Sequence, residues 1–119
     1  MRVTLIENFR AVFYAPFYAA FALKSFEAEH LDVVLQPSAA AEKTLSTMAA
    51  GGNAVSWGGP MRLMHALDAA PGSGVVAFCE AVCRDPFYLV GRTPRPSFRM
   101  DDLRTLHLAT VSEVPTPWY

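Results

Sequence analysis

The sequence predicts an α/β fold, an open and mostly parallel sheet with helices on both faces. Short apolar runs typical of strands alternate along the chain with segments of helical periodicity. The run GVVAFCEAV at residues 74–82 is almost wholly apolar, as expected of a strand covered on both faces. A length of 119 residues predicts one domain with one core.

The first half of the chain predicts three units, each a strand followed by a helix. The predicted strands cover residues 3–6, 32–36 and 53–57. Pro16 suits the first turn of the first helix, whose apolar face continues as far as Phe26. Ser38 is the expected N-cap of the second helix, and the glycine pair at 51–52 is expected to end it. Pro60 is expected to open the third helix.

The second half of the chain predicts further strands and one short helix. Strands are expected at residues 74–82, 87–90 and 107–111. Residues 100–106 predict a short helix with Asp101 at its cap, and residues 112–117 predict the start of another. This alternation of strands and helices favours a sheet whose strands are mostly parallel.

The two cysteines, Cys79 and Cys83, stand four residues apart within the fourth predicted strand. In a strand their Cα atoms would lie about 13 Å apart, whereas a disulfide needs a separation below about 7 Å. We therefore expect two free, buried thiols. The two cysteines and three scattered histidines form no zinc pattern, so no metal is expected.

Composition and motifs exclude several classes of function. The chain is 52% hydrophobic and 18% charged, which is typical of a globular protein. A net charge of -1 provides no basic surface, so we expect no nucleic-acid partner. The sequence contains no phosphate-binding loop, dinucleotide fingerprint, nucleophile elbow or metalloprotease motif. We therefore expect no catalytic residues and no cofactor.

The predicted binding site is the edge where the parallel strands end, because ligands of open α/β sheets bind there. Four strand ends lead into helix starts, at residues 8–16, 36–38, 57–60 and 112–117. Helix starts have unpaired N–H groups and a partial positive charge, which attract anionic or polar groups. Aromatic residues follow two of these strand ends and suit a flat or apolar ligand.

The stretch VSWGGPM at residues 55–61 permits two interpretations. In the first, Gly58 and Gly59 let a ligand approach the backbone, Pro60 directs the chain into a helix, and Trp57 forms a wall of the pocket. In the second, Gly-Gly-Pro makes only a tight turn and Trp57 belongs to the core.

Phe13 and Tyr14 could each either pack in the core or contact a ligand, and the sequence favours neither role. Glu80 lies in an apolar run, where an ionised carboxylate needs either a solvated cleft or an arginine partner. The sequence leaves both of these questions open.

Six stretches of the chain are, in order, LIENF, PFYAA, DVVLQPS, NAVSWGGPMRLMHALD, FCEAVCRDPFYLVGR and DLRTLHLATVSEVPTPW. In this order and spacing they resemble the substrate-binding proteins of ABC importers with the type 2 periplasmic-binding fold. The nearest resemblance is to the group that binds thiamine-pyrimidine precursors, alkanesulfonates and taurine. The resemblance spans essentially the whole chain, and the order of the stretches is a stronger signal than any single one.

The resemblance implies two lobes that close on a small molecule, with residues 1–119 as the first lobe and the second lobe absent from this chain. The ligand-binding residues that it implies are Asn8, Phe13, Trp57, Gly58, Gly59, Ser112, Glu113 and Thr116. It also implies an ABC permease as partner, no cofactor, and a periplasmic or extracytoplasmic location.

Three expectations accompany this resemblance. The lack of a visible signal peptide leaves a cytoplasmic location open. A natural chain of this length would expose a sheet edge, which favours a homodimer. The alternative function is a cytosolic enzyme on the same fold, acting on a small aromatic or carboxylated metabolite.

Overall fold

The structure is a computed structural model, and it describes residues 1–40, 43–84 and 88–110. Its strands are β1 (Arg2–Glu7), β2 (Asp32–Pro37) and β3 (Ala54–Ser56). Its α-helices are α1 (Ala15–Ala22), α2 (Ser25–Ala28), α3 (Thr44–Ala49) and α4 (Pro60–Ala69). Among the described residues, 3-10 helices also cover Val12–Tyr14 and Met100–Thr105. None of the helices in these ranges is both long enough and apolar enough to span a membrane.

The three strands form an open, all-parallel sheet in the order β2-β1-β3. The prediction of an α/β domain with a parallel sheet is therefore confirmed. β1 lies in the centre and pairs with β2 from Arg2 to Glu7 and with β3 from Thr4 to Ile6. Because all three strands run in the same direction, their carboxyl ends meet at one edge of the sheet.

The core lies beneath this edge, because β1 becomes more buried toward its carboxyl end. Leu5, Tyr14 and Trp57 form the buried cluster. Half-buried residues pack around it: Phe9, Ala11, Phe13, Phe17, Tyr18, Phe21, Val33, Leu35 and Val55. The aromatic loop after β1 and the first helix thus contribute most of the apolar surface that the sheet buries.

The first predicted helix is shorter than its apolar pattern indicates. α1 ends at Ala22, and Lys24 adopts a left-handed conformation with φ 56° before α2 begins. His30 is also left-handed, with φ 58°, and the Leu31 N–H bonds to the Phe26 carbonyl. The left-handed residues Lys24 and His30 turn the chain back toward β2. Helical periodicity in the sequence does not predict such turns.

The second predicted helix starts later than expected. Ser38 is not its N-cap, because α3 begins at Thr44 with Lys43 in the capping position. Instead the Ser38 hydroxyl donates to the Ala40 carbonyl at 2.8 Å and accepts from the Thr44 hydroxyl at 2.8 Å. The glycines at 51–52 follow the end of α3 with φ 105° each, which confirms their predicted role.

The predicted strand at residues 74–82 is not formed in the structure, where this segment has no regular secondary structure. Residues 88–90 and 107–110 also form no strand, while Phe87 and Val111 lie outside the described residues. A strand requires a hydrogen-bonded neighbour, and a groove separates residues 74–82 from β3. High strand propensity alone is therefore insufficient here.

The prediction of buried cysteines is wrong for the same reason. Cys79 and Cys83 are both free, as expected, but both are exposed. Their burial was predicted because residues 74–82 were expected to form a strand with both faces covered. In the structure no other described element covers this segment, so both thiols are exposed.

The short helix near residue 100 is of the 3-10 type, and its cap differs from the prediction. Arg99 is the N-cap, and its N–H donates to the Asp102 carboxylate at 3.0 Å. Asp102 therefore has the capping contact that was predicted for Asp101.

We expect Thr44→Val to lower the free energy of unfolding by about 1 kcal/mol, the typical net contribution of one hydrogen bond. Thr44 is 0% exposed, and valine preserves its shape while removing the hydroxyl that donates to Ser38. Urea unfolding followed by circular dichroism measures the change.

The matched control for this substitution is Thr47→Val in the same helix. The Thr47 hydroxyl donates to the Lys43 carbonyl at 2.9 Å but is exposed, so we expect a change below about 0.5 kcal/mol. Equal losses at both positions would contradict a specific role for the buried Thr44 hydroxyl.

Candidate functional site

The loops after β1 and β3 are tied to one another at the carboxyl edge of the sheet. The Asn8 amide nitrogen donates to the Trp57 carbonyl. One residue earlier, the Ser56 hydroxyl donates to the Ile6 carbonyl at 2.8 Å. The sequence predicted that the loops after β1 and β3 form part of a site. The structure brings these two loops together, because Asn8 of the first contacts the Trp57–Gly58 corner of the second.

Gly58 leaves room for the close approach of the Asn8 side chain. A Cβ atom on Gly58 would lie 3.3 Å from the Asn8 amide nitrogen, which is closer than most real contacts. The close approach for which the sequence reserves a glycine is thus made by the protein's own side chain. Gly59 meets no atom within 4 Å of a Cβ and serves as the N-cap of α4.

Trp57 is 4% exposed and lies within the aromatic core. Its ring stacks on Phe17 with centroids 4.6 Å apart and lies 5.0 Å from the Tyr14 ring. Tyr18 meets it edge-on at 6.0 Å. The burial of Trp57 agrees with the interpretation that it belongs to the core. Contact of Trp57 with a ligand stays a prediction.

A groove of about 970 Å³ runs between the aromatic core and the uncovered segment at residues 73–83. Four predicted site residues line it: Phe13, Trp57, Gly58 and Gly59. Tyr14 and Phe17 add two more aromatic side chains, and Glu80 lies exposed on the opposite wall. Exposure keeps the Glu80 carboxylate solvated, so it needs no buried partner.

A smaller cavity of about 80 Å³ adjoins this groove behind the Trp57–Gly58 corner. Asn8, Arg62 and Leu63 line it together with that corner. Its volume exceeds the roughly 10–15 Å³ that one water needs. The cavity therefore has room for a small polar group.

Two buried polar atoms at this corner have no hydrogen-bond partner within the described residues. They are the indole nitrogen of Trp57, a donor, and the side-chain oxygen of Asn8, an acceptor. Buried polar atoms in native proteins are nearly always paired with protein, water or ligand. The structure therefore leaves one buried donor and one buried acceptor in these two residues without a partner among the described residues.

A buried carboxylate lies beside the site that sequence reasoning did not identify. The Glu7 side chain is 6% exposed, accepts a hydrogen bond from the Tyr18 hydroxyl at 2.5 Å, and lies 3.5 Å from the Arg10 guanidinium. Glu7 is the last residue of β1 and is therefore at the carboxyl edge of the sheet. The end of the predicted strand indicates that Glu7 lies at this edge. The pairing of Glu7 with Tyr18 depends on how α1 packs, which the sequence pattern does not show.

Burial raises the pKa of Tyr18, and the hydrogen bond to Glu7 and its negative charge raise that pKa further. Arg10 acts in the opposite direction. Burial also raises the pKa of Tyr14, while the positive charge of Arg62 opposes this rise. Both hydroxyls therefore stay protonated near neutral pH, where the Tyr18 hydroxyl donates a hydrogen bond to Glu7.

Arg62 lies in the first turn of α4, and its side chain is within 4.0 Å of the position that a Gly58 Cβ would occupy. The N-terminus of a helix has a partial positive charge, and the guanidinium adds a full one. The start of α4 and the Arg62 guanidinium thus both place positive charge beside this corner.

The third predicted group, Ser112, Glu113 and Thr116, lies outside the described residues. Among the ranges 1–40, 43–84 and 88–110, no three histidine, cysteine or acidic side chains come together as metal ligands. Comparison of the chain with protein-family models, curated proteins and solved structures finds no match.

We expect Gly58→Ala to destabilise the protein by about 1 kcal/mol, because the new methyl group displaces the Asn8 amide from the Trp57 carbonyl. Thermal unfolding monitored by tryptophan fluorescence measures the loss. Gly72→Ala is the control, because a Cβ there meets nothing within 4 Å. Equal effects of the two substitutions would show that Asn8 does not restrict position 58.

We expect the stability of the wild-type protein to fall as pH rises above 10, the ordinary pKa of tyrosine. Because the folded-state pKa of Tyr18 is raised, its contribution is complete below pH 10 and is lost as pH rises through the folded value. Tyr18→Phe removes this contribution, so its decline between pH 10 and 11.5 is expected to be shallower.

Tyr88→Phe is the matched control, since Tyr88 is exposed. Urea titrations at a series of pH values give the slopes for all three proteins. If Tyr18→Phe followed the wild-type slope, the partly buried hydrogen bond to Glu7 would not be the source of the pH dependence.

Proposed function

We propose that this protein is the solute-binding component of an ABC importer and binds a small polar or aromatic molecule at the carboxyl edge of its sheet. The ligand class is that of thiamine-pyrimidine precursors or sulfonates. The protein acts outside the cytoplasmic membrane and delivers its ligand to an ABC permease. The described domain corresponds to the first of the two lobes that enclose the ligand.

The observation that supports this proposal is the polar corner beside an aromatic groove. The unpaired Trp57 indole nitrogen and Asn8 side-chain oxygen offer one donor and one acceptor. A heterocycle with adjacent amino and ring-nitrogen groups presents the complementary acceptor and donor. The neighbouring aromatic rings of Phe13, Tyr14 and Phe17 offer flat surfaces on which such a ring packs.

The electropositive side of the same corner accounts for the second ligand class. Sulfonate and carboxylate groups are anionic, and the start of α4 with Arg62 provides positive charge beside the small cavity. Arginine binds such groups through two parallel hydrogen bonds. One corner therefore has both the hydrogen-bonding groups for a heterocycle and the charge for an anion.

Binding of small probes to the 119-residue chain tests the proposal. The probes are a 4-aminopyrimidine, taurine and benzoate, each titrated by isothermal calorimetry and by thermal shift. We expect at least one probe to bind, and a ligand at a hundredfold excess over its Kd adds about 2.7 kcal/mol of stability. Failure of all three to bind would contradict a binding site formed by the residues of this lobe.

Asn8→Ala locates the binding at the corner. It removes the unpaired acceptor, so we expect the affinity for a bound aminopyrimidine to fall about tenfold, which corresponds to about 1.4 kcal/mol. Asn53→Ala is the control, because the Asn53 amide bonds to the Arg2 carbonyl at the other end of the sheet. Equal affinities of the two variants would place the ligand elsewhere.

A further inference from the structure

We propose that Glu7 is a positioning residue of the candidate site: through the Tyr18 hydroxyl it fixes the Trp57 ring in the wall of the groove. Neither Glu7 nor Tyr18 lines the groove itself. The effect of Glu7 on a ligand rests on the proposed function, because it assumes that a ligand occupies the groove. The effect of Glu7 on the Trp57 ring is a property of the free protein and is measured without a ligand.

The burial of Glu7 is not explained by stability alone. Of the charged residues in the ranges 1–40, 43–84 and 88–110, Glu7 alone is buried, and it follows the buried apolar residues Leu5 and Ile6. Removing a carboxylate from water is costly unless it is paired. Even a buried ion pair often stabilises a fold no more than an apolar residue of similar volume. What the carboxylate provides beyond an apolar side chain is a hydrogen bond of fixed direction.

The main partner of this carboxylate is Tyr18. The Tyr18 hydroxyl donates to Glu7 at 2.5 Å, and a hydrogen bond to an ionised acceptor is short and stronger than one between neutral groups. The Arg10 guanidinium lies 3.5 Å from Glu7, but the Arg10 side chain is 82% exposed. Exposed ion pairs contribute little. The hydrogen bond from Tyr18 is therefore the contact that Glu7 directs.

Tyr18 connects three elements of the fold. It belongs to α1, its hydroxyl contacts Glu7 at the end of β1, and its ring contacts Trp57 after β3. The Tyr18 and Trp57 rings are T-shaped, with centroids 6.0 Å apart and planes at 83°. This is a favoured geometry for an aromatic pair. The Tyr18 side chain is thus held at its hydroxyl by the sheet and packs with its ring on Trp57.

Trp57 is held at the end of β1 by two separate contacts. Asn8 donates directly to the Trp57 carbonyl and fixes its backbone. Glu7 acts through Tyr18 on the Trp57 ring. Two consecutive residues therefore fix the backbone and the side chain of the same groove residue.

The orientation of the Trp57 ring is set by its neighbours and not by a hydrogen bond of its own. Its buried indole N–H has no partner within the described residues, and an unpaired buried donor costs free energy. A ring that were free to turn would bring this donor to water or to an acceptor. The ring is instead held by Tyr14, Phe17 and Tyr18. Of these three described neighbours, Tyr18 is the one whose hydroxyl is hydrogen-bonded to the sheet.

A fixed ring lowers the cost of binding a ligand in the groove. Trp57 lines the groove, and a wall that is already ordered loses little freedom when a ligand packs on it. An aromatic pair of this kind corresponds to a change in affinity of about threefold to tenfold. We expect the affinity for a groove ligand to fall by that factor when the hydrogen bond between Tyr18 and Glu7 is removed.

Fluorescence of the free protein tests the positioning of Trp57. The background substitution Trp118→Phe leaves Trp57 as the single tryptophan of the chain. In this background we expect Tyr18→Phe and Glu7→Leu to shift the Trp57 emission to longer wavelength, to increase its quenching by acrylamide and to reduce its near-UV circular dichroism. Glu7→Gln keeps an acceptor for the Tyr18 hydroxyl and is expected to restore most of the wild-type signal.

Tyr88→Phe is the matched control, because Tyr88 is 81% exposed and does not line the groove. Far-UV circular dichroism checks that each variant is folded. If a single variant unfolds, the double variant Glu7→Leu/Tyr18→Phe decides, because replacing both partners of a hydrogen bond by apolar groups is nearly neutral for stability. This variant is expected to be folded and to show the same change in the Trp57 signal.

Titration with a 4-aminopyrimidine separates this inference from the proposed function. We expect Tyr18→Phe to bind the probe about threefold to tenfold more weakly than the wild type. If neither the aminopyrimidine nor the other two probes bind the wild-type chain, the proposed binding site fails, and the Trp57 spectra alone decide whether Glu7 positions the ring.

Three results would overturn the inference. The first is a Trp57 signal that is unchanged in folded Tyr18→Phe or in the double variant. The second is a Glu7→Gln protein that differs from the wild type as much as Glu7→Leu does, since the hydrogen bond to Tyr18 would then not be the cause. The third is a bound probe whose affinity is the same in Tyr18→Phe as in the wild type.

Discussion

The structure depends on β1 being paired on both sides. Its six residues pair with β2 along their whole length and with β3 over their carboxyl half. This register places Glu7, Ser38 and Trp57 at one edge, where the Ser38 N–H donates to the Glu7 carbonyl at 2.8 Å. The aromatic loop after β1 can cover the sheet only because these strand ends coincide.

The residues of the candidate site have two different structural roles. Trp57, Tyr14 and Phe17 hold the loops together by burying aromatic surface. Asn8 and Gly58 bring the backbones of two loops into contact, and that contact leaves a donor and an acceptor unpaired. The residues that close the core thus also line the groove, so a substitution among them is expected to change both the core and the groove.

Much of the site's location followed from general rules, while its contacts did not. Parallel strands end at a common edge, so the sequence predicted that Asn8 and the Trp57 corner lie at the same edge, while the pairing of β1 with β3 came from the fold. The pairing of Glu7 with Tyr18 was not, because it depends on the rotation of α1 about its axis. The ligand roles of Ser112, Glu113 and Thr116 stay predictions, since these residues lie outside the described ranges.

The sequence by itself determined the elements whose signals are local. Alternating apolar runs gave β1, β2 and β3, proline opened α4, and two glycines ended α3. Only the tertiary structure decided the fate of residues 74–82, which have the composition of a buried strand but lie exposed across a groove from β3. The reason is that strand propensity describes a side chain's preference, whereas a strand forms only where a second backbone supplies its hydrogen bonds.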